Sequence, residues 1–431
     1  MLCLFPALSP QPLAPAGREW QNKGMAPPVP SSFDVLIIGG GPIGGLLGAV
    51  LAGAGLEVAV VEAASPEALG RPGSDARAIA VAYTAQKVLA AAGAWPAMAD
   101  EAGAILEIRV TDAASPLFLH YDHEEIGDEP LGWIVPNPAI RRAILGRLQA
   151  AASAHLFAPA RLSRLERLPG RVEAELDDGR VLSAALVVGA DGRGSATRTA
   201  AGIGVTRSDY AQSGIVCTMT HTRPHHGIAH ERFLPAGPFA ILPLAGNRSG
   251  VVWTEANATA AAICAQSEAD FIAELKDRVG DFLGEIGIEG PRFHHPLSLQ
   301  VADRMIDHRL ALIGDAAHGM HPIAGQGMNM GIRDVAALAE AIVDARRLGL
   351  DCGQAAVLER YQRWRRFDNM LMLGLTDGLN RLFSNEIAPL KHARRIGLAA
   401  VNRLPSAKRF FMRHAMGLVG DLPRLLKGEA L

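Results

Sequence analysis

The chain has 431 residues, 49% of them apolar and 20% charged, with a formal net charge of -2. That length suits two or three domains with large cores, and the apolar content excludes a disordered chain. A near-neutral balance with no basic motif gives no reason to expect a nucleic-acid partner.

Residues 1–32 hold seven prolines and little periodicity, and read as a disordered leader. One Arg and one Lys against one Glu are too few basic residues for a transit peptide, and no apolar stretch serves as a signal peptide. Met25, just before the first strand, offers an alternative start. Residues 33–38 predict a short, buried parallel strand. It runs into Gly39-Gly40-Gly41-Pro42-Ile43-Gly44, a GxGxxG, and then into a small-residue helix over 45–54. A second strand, 57–61, ends at Glu62, 23 residues after Gly39. Strand, glycine turn, helix, strand and acid in this order describe a dinucleotide fold. The glycines admit a pyrophosphate, the helix N-terminus binds it, and Glu62 accepts from the adenosine ribose hydroxyls. Residues 35–56 carry no charge, yet eight glycines and Pro42 inside them argue against a membrane span.

Segments 105–121 and 213–255 alternate apolar and polar residues between turn signals, which predicts antiparallel strands, clearest at 215–219 and 250–254. Strand patterns at 186–192 and 309–315 end in Asp191-Gly192 and Gly314-Asp315; alone, such dipeptides read as turns. Adjacent histidines at 225–226 and 294–295 lack both helical i, i+4 spacing and an acidic partner. On a strand they point apart, so no metal site is expected. The four cysteines (Cys3, Cys217, Cys264 and Cys352) are scattered without a CxxC pair, as free thiols in a reducing cytoplasm would be.

The densest signal is His321-Pro322-Ile323-Ala324-Gly325-Gln326-Gly327-Met328-Asn329-Met330-Gly331-Ile332-Arg333-Asp334. Met328, Ile332, Val335, Leu338 and Ile342 recur at helical spacing, so a helix opens near Gly325. Glycines at a helix mouth let a bulky ligand approach the backbone, and the first-turn N–H groups offer it positive potential. Residues 346–431 read as helices. From 391 onward nine Lys or Arg stand against Asp421 and Glu429, with Phe410, Phe411, Met412 and Met416 among them. That composition fits contact with an anionic membrane or a protein partner, and equally an amphipathic helix packed on the core.

The fourteen-residue run matches, position for position, the signature of the ubiquinone-biosynthesis FAD-dependent hydroxylases (the UbiH/VisC type). These lie within the para-hydroxybenzoate-hydroxylase-like class of flavin monooxygenases. With the GxGxxG, Asp191-Gly192 and Gly314-Asp315, the chain resembles this family over roughly residues 33–425. The resemblance implies an α/β fold. A Rossmann-like FAD-binding domain (33–103, 132–203 and 301–345) is interleaved with an antiparallel-sheet substrate domain (104–131 and 204–300), and C-terminal helices follow (346–431). It implies FAD as cofactor, NAD(P)H as transient reductant and O2 as co-substrate, acting through a flavin C4a-hydroperoxide on a polyprenylated phenol.

By the same resemblance the FAD contacts are Gly39, Gly41, Gly44, Glu62, Arg77, Arg141, Asp191, Gly192, Gly314, Asp315, Gly325, Gly327, Met328 and Asn329. Asp315 corresponds to the aspartate bonding the ribityl chain, and Arg77 to an arginine beside the flavin. Arg141 stands where the family often has Gln. Pro322, Gly325, Gln326 and Gly327 correspond to the ring-face residues, residues 239–244 to a pocket-lining strand, and His318 and His321 read as loop-shaping hydrogen bonders. The resemblance further implies a place in the cytoplasm, peripheral on the inner membrane, and membership of a quinone-biosynthesis complex. Two other readings stay open: the same chemistry on another aromatic substrate, or a flavoprotein member of such a complex that does not turn over.

Overall fold

The computed structural model describes residues 32–431 apart from 70, 72, 74, 113–117, 321–324, 384–400 and 402. The parallel strands of the first sheet are written in apolar residues because both sheet faces are covered. β1 (Ser32–Ile38) lies between β2 (Val58–Val61) and β11 (Val181–Gly189). β8 (Ala154–Phe157) continues beyond β2, and β18 (Leu310–Leu312) beyond β11, all parallel. β17 (Ile306–Asp307), β10 (Val172–Leu176) and β9 (Leu162–Arg167) add antiparallel pairings. α1 (Pro42–Gly53) packs between the sheet and two further helices, α4 (Asn137–Ala150) and α8 (Gln326–Arg347). Leu36, Ile37, Leu46, Val60, Val187 and Val335 are wholly buried in this core.

One register row places the site. Val61, Ile38, Gly189 and Leu312 stand side by side across four parallel strands. The chain leaves each of them into a segment singled out above: Glu62, Gly39–Gly41, Asp191-Gly192 and Gly314-Asp315. Strand order runs outward from β1 through β2 to β8, then resumes on the other side with β11. Ligands bind outside the carboxyl ends of strands at such a reversal.

The second sheet runs β19 (His318–Gly319), β16 (Ile286–Ala302), β12 (Val205–His221), β15 (Arg248–Ala256), β14 (Gly237–Pro243), β13 (Ile228–Leu234), β5 (Glu107–Asp112), β6 (Phe118–Asp122). Its pairings are antiparallel as expected, except that β13 and β5 run parallel. The two are far apart in sequence, so no tight turn dictates their direction. One face carries Ile215, Trp253 and Phe239 in one row, buried under α6 (Asn257–Ala265) and α7 (Glu268–Val279). Because side chains alternate, Val216, Val252 and Ala240 point the other way.

A small third sheet joins β3 (Ala78–Ala82), β7 (Gly132–Pro136) and β4 (Gly103–Ile105). α3 (Tyr83–Ala91) follows β3, and the short α2 (Pro66–Leu69) and α5 (Ala196–Ala200) complete the first half. The described C-terminal residues are largely helical: α9 (Ala355–Phe383) packs on α8, and α10 (Pro405–Ala415) and α11 (Arg424–Lys427) lie nearer the end. In α10 the amphipathic expectation resolves into two faces. Met412 and Met416 are buried with Ile105, Leu131 and Leu244, while Phe410 and Phe411 are exposed. No described helix is long and apolar enough to cross a membrane. The proposed leader through residue 31 lies outside the described residues, and β1 begins at Ser32, one residue inside it.

Candidate active site

A cavity of about 680 Å3 lies between the carboxyl edge of the first sheet and the free face of the second. Three helices begin on it. Gly41 and Pro42 at the start of α1, Asn137 and Arg141 of α4, and Gly325, Gly327 and Met328 at the start of α8 all line its wall. Converging helix N-termini make this wall electropositive, and Arg77, Arg141 and Arg193 add to it.

The glycines of the first turn have separate tasks. Gly39 has φ +106°, and a Cβ there would stand 2.4 Å from the Ala190 carbonyl oxygen. Gly44 lets α1 close on that turn, since its Cβ would come within 1.9 Å of the Gly39 oxygen. Both lie behind the wall. Gly41 is different: no atom of a described residue is within 4 Å of its Cβ position, so its face opens to the cavity. Glu62 accepts from the Gly40 N–H at 2.7 Å and the Ala64 N–H at 2.8 Å, tying the turn to β2. A carboxylate so engaged keeps lone pairs for a ligand hydroxyl.

The second motif divides its labour. The Asp191 carboxylate accepts from the Ser195 hydroxyl and, at 3.0 Å each, from the Thr197 N–H and hydroxyl. It therefore stabilises the start of α5, and the following Gly192 and Arg193 reach the cavity. In the third motif the Gly314 N–H donates to Asp334 at 3.0 Å, and Asp315 projects into the cavity, accepting from Arg193 Nε at 3.2 Å. Arg193 also donates to Ser298 and to the Met320 carbonyl. Asp334 is fully buried and receives His318 Nε2 at 2.6 Å and Arg365 Nε at 2.8 Å. Burial alone would raise its carboxyl, but the charges of His318 and Arg365 hold it below the usual range. His318 thus shapes the loop, as expected.

α8 opens at Gly325 with φ +62°, where a Cβ would meet Ala80 Cβ at 2.7 Å. Asn329 turns away from the cavity. Its Oδ1 accepts from the Ala82 N–H at 2.9 Å, and its Nδ2 donates to the Ala80 and Gly325 carbonyls. It pins β3 to the helix mouth. Gln326 is buried and outside the lining. Pro322 and His321 lie outside the described residues.

Pinning β3 fixes the arginine before it. Asp75 accepts from Arg77 Nε at 2.9 Å and Nη2 at 2.6 Å and from Asn137 Nδ2 at 2.6 Å, with Arg141 Nη2 at 3.7 Å. Burial would raise the Asp75 carboxyl, yet the hydrogen bonds and charge of Arg77, with Asn137, hold it down at about 2. Asn137 Oδ1 and Arg141 Nε are buried without a partner among the described residues. Both residues line the cavity, so an acceptor and a donor stand ready for a bound polar group. Helix N-termini, an open glycine face and unfilled polar atoms together fit a large anionic dinucleotide.

The facing wall, from the second sheet, is mostly apolar: Val216, Pro238, Ala240, Leu242 and Val252 line it, with Glu231 and His295 as its titratable groups. The expected pocket strand 239–244 is split by its period of two: Ala240 and Leu242 face the cavity, while Phe239 and Ile241 join the core under α6 and α7. His225 hydrogen-bonds the Leu244 carbonyl at 2.8 Å, a loop role.

The chain matches the FAD binding domain family over residues 32–367. It is 52% identical over 401 residues to the ubiquinone hydroxylase UbiL of Rhodospirillum rubrum, covering 92% of this chain and 93% of that one. The chain belongs to the FAD-dependent hydroxylase family of ubiquinone biosynthesis. This hydroxylase is also 35% identical to the 3-demethoxyubiquinol 3-hydroxylase of Escherichia coli, covering 89% of this chain and 98% of that one. Its fold is similar to that of the p-nitrophenol 4-monooxygenase PnpA of Pseudomonas putida, with a TM-score of 0.74 at 18% identity, covering 90% and 98%. The hydroxylase is an FAD-dependent aromatic hydroxylase.

Sequence reasoning gave this hydroxylase no role for Asp75, Asn137, Arg193 or Glu231. Arg193 directly follows Asp191-Gly192, a signal within reach. Glu231 stands in phase with Ala229 and Phe233, both buried, and an acid at an apolar phase of a strand is also a legible signal.

Proposed function

We propose that this hydroxylase adds oxygen to the aromatic ring of a polyprenylated phenol on the ubiquinone pathway. One observation carries the reading: a single cavity sets the three helix N-termini opposite an apolar sheet, so a ring and an anionic cofactor meet in one place. Reduced by NAD(P)H, bound FAD supplies the activated oxygen. Gly41 and the first turn of α1 receive its pyrophosphate, and Glu62 its adenosine ribose. Asp315 accepts from its ribityl hydroxyls. Arg77 and Arg141, with Gly192, Gly314, Gly325, Gly327 and Met328, enclose the remainder. Gly39, Gly44, Asp191 and Asn329 act from behind by fixing the turns. The second sheet seats the substrate ring and keeps water out. On this reading the first-sheet segments form the FAD-binding part and the second sheet the substrate part. The exposed Phe410 and Phe411, beside Arg409 and Arg413, form a contact with the membrane surface where a prenylated substrate resides.

The test is a mass-spectrometric profile of quinone lipids in cells lacking the gene. A prenylated precursor short of one hydroxyl is expected to accumulate; unchanged ubiquinone with no precursor overturns the pathway. NAD(P)H oxidation with ring hydroxylation by the purified enzyme separates turnover from a flavoprotein that only scaffolds.

A further inference from the structure

Glu231 is the one carboxylate that the second sheet presents to the cavity among its described lining residues, and no described residue hydrogen-bonds or ion-pairs with it. It lies on β13 opposite Ala240 of β14, and the row continues through Val252 to Val216, all on the cavity wall. On its other side β5 sets Val110 beside it. Strand alternation sends Arg232, His230, Arg109 and Glu107 to the opposite face, while Asp112 of β5, beside Phe233, and Tyr121 of β6, beside Ile108, stand on the same face as Glu231. Across the cavity the lining cations are Arg77, Arg141 and Arg193, with His295 on the sheet; none of them pairs with Glu231.

A carboxylate set in an apolar wall without a partner costs stability, so a fold that keeps one needs the missing donor to arrive with a ligand. Within the function proposed above, on which this step rests, the donor is the ring hydroxyl. We infer that Glu231 accepts the hydrogen bond of the substrate's phenolic hydroxyl and takes its proton. The same carboxylate selects against a ring that carries a carboxylate at that position. In the step, the phenol O–H bond breaks and the proton passes to a Glu231 carboxylate oxygen. The electron pair stays on the phenol oxygen and raises electron density at the ortho and para carbons, where the new C–O bond forms as the O–O bond of the activated oxygen breaks; the second oxygen leaves as water, taking up the proton that the ring carbon loses. The proton returns to the phenol oxygen once the ring has regained its aromaticity. Desolvation by the apolar wall pushes the Glu231 carboxyl up to about 7, so it exchanges a proton near neutrality.

The test uses the FAD-loaded enzyme, wild type and the Glu231→Leu and Glu231→Gln variants, with a short-chain 2-prenylphenol, its methyl ether and its ring carboxylate as probes. Affinities are read from the change in flavin absorbance, and hydroxylated product is measured against pH. The wild type is expected to bind the phenol at least about tenfold tighter than the methyl ether. In Glu231→Leu that preference falls to near one, and the carboxylated ring binds better than to wild type. Glu231→Gln keeps a hydrogen-bonding group, but its hydroxylation falls by roughly a hundredfold and loses the acid-side limb near pH 7. An unchanged phenol preference in Glu231→Leu, or a persisting limb in Glu231→Gln, overturns the assignment while leaving the functional reading intact. Failure of the wild type to bind or hydroxylate the phenol overturns both. Should Glu231→Leu fail to fold, the pH profile of Glu231→Gln decides.

Discussion

Replacing Gly41 by valine separates cofactor binding from folding. Gly41 has φ -64° and ψ -174°, a conformation any residue adopts, and no described residue lies within 4 Å of its Cβ position. The folded protein without FAD is therefore expected to keep its stability to within about 0.5 kcal/mol, since reduced freedom of the unfolded chain offsets small losses. The added side chain enters the space assigned to the pyrophosphate. Forcing atoms into a filled site costs about 1–3 kcal/mol, and a displaced hydrogen bond to a charged group about 1.5–3 kcal/mol more. Together these weaken FAD binding by at least roughly seventyfold, or about 2.5 kcal/mol. Gly39→Val is the control. At φ +106°, with the Ala190 oxygen 2.4 Å from the Cβ position, it is expected to cost the fold about 3 kcal/mol or more. The assay is a flavin titration of the deflavinated proteins together with urea unfolding. Wild-type FAD affinity in Gly41→Val, or an unfolding midpoint lowered as far as that of Gly39→Val, would refute the division of roles.

Asp75→Asn tests the acid that organises Arg77 and Asn137. Its carboxyl is held at about 2 against an ordinary 3.8, so its stabilisation is complete above pH 3.8 and lost as pH falls toward 2; about 2 kcal/mol is involved. Between pH 5 and pH 3 the wild type should lose more urea resistance than Asp75→Asn, and equal losses would contradict the assignment. Asp334→Ala removes a buried partner of Arg365 and of the Gly314 N–H, and should cost about 3 kcal/mol in unfolding experiments. A cost below about 1 kcal/mol would show that the Asp334 network does not hold the Gly314 turn. Phe410→Glu with Phe411→Glu should leave the fold intact, since both are exposed, while reducing co-sedimentation with anionic phospholipid vesicles. Unchanged sedimentation retires the membrane contact. Deleting α10 would be a poorer test because its Met412 belongs to the core.

The carboxyl edge of the first sheet was legible in the sequence because each piece makes a local demand that only certain residues meet. Gly39 must turn at positive φ, Gly44 must let a helix close on that turn, and Gly325 must begin a helix in the left-handed region. The alternation of β14 likewise shows which residues share a face, but not which face meets the cavity. Tertiary structure alone decided where polar side chains spend their hydrogen bonds. Asp191 turns to α5, Asn329 reaches a strand 247 residues away in sequence, and Arg193 crosses to Asp315 and Ser298. Glu231, which follows the same alternation as its neighbours, is left with no partner at all among the described residues. Backbone conformation is constrained by a residue and its immediate neighbours and so leaves its mark in local identity. A hydrogen bond's partner is set by which elements pack together, and no local spacing records that.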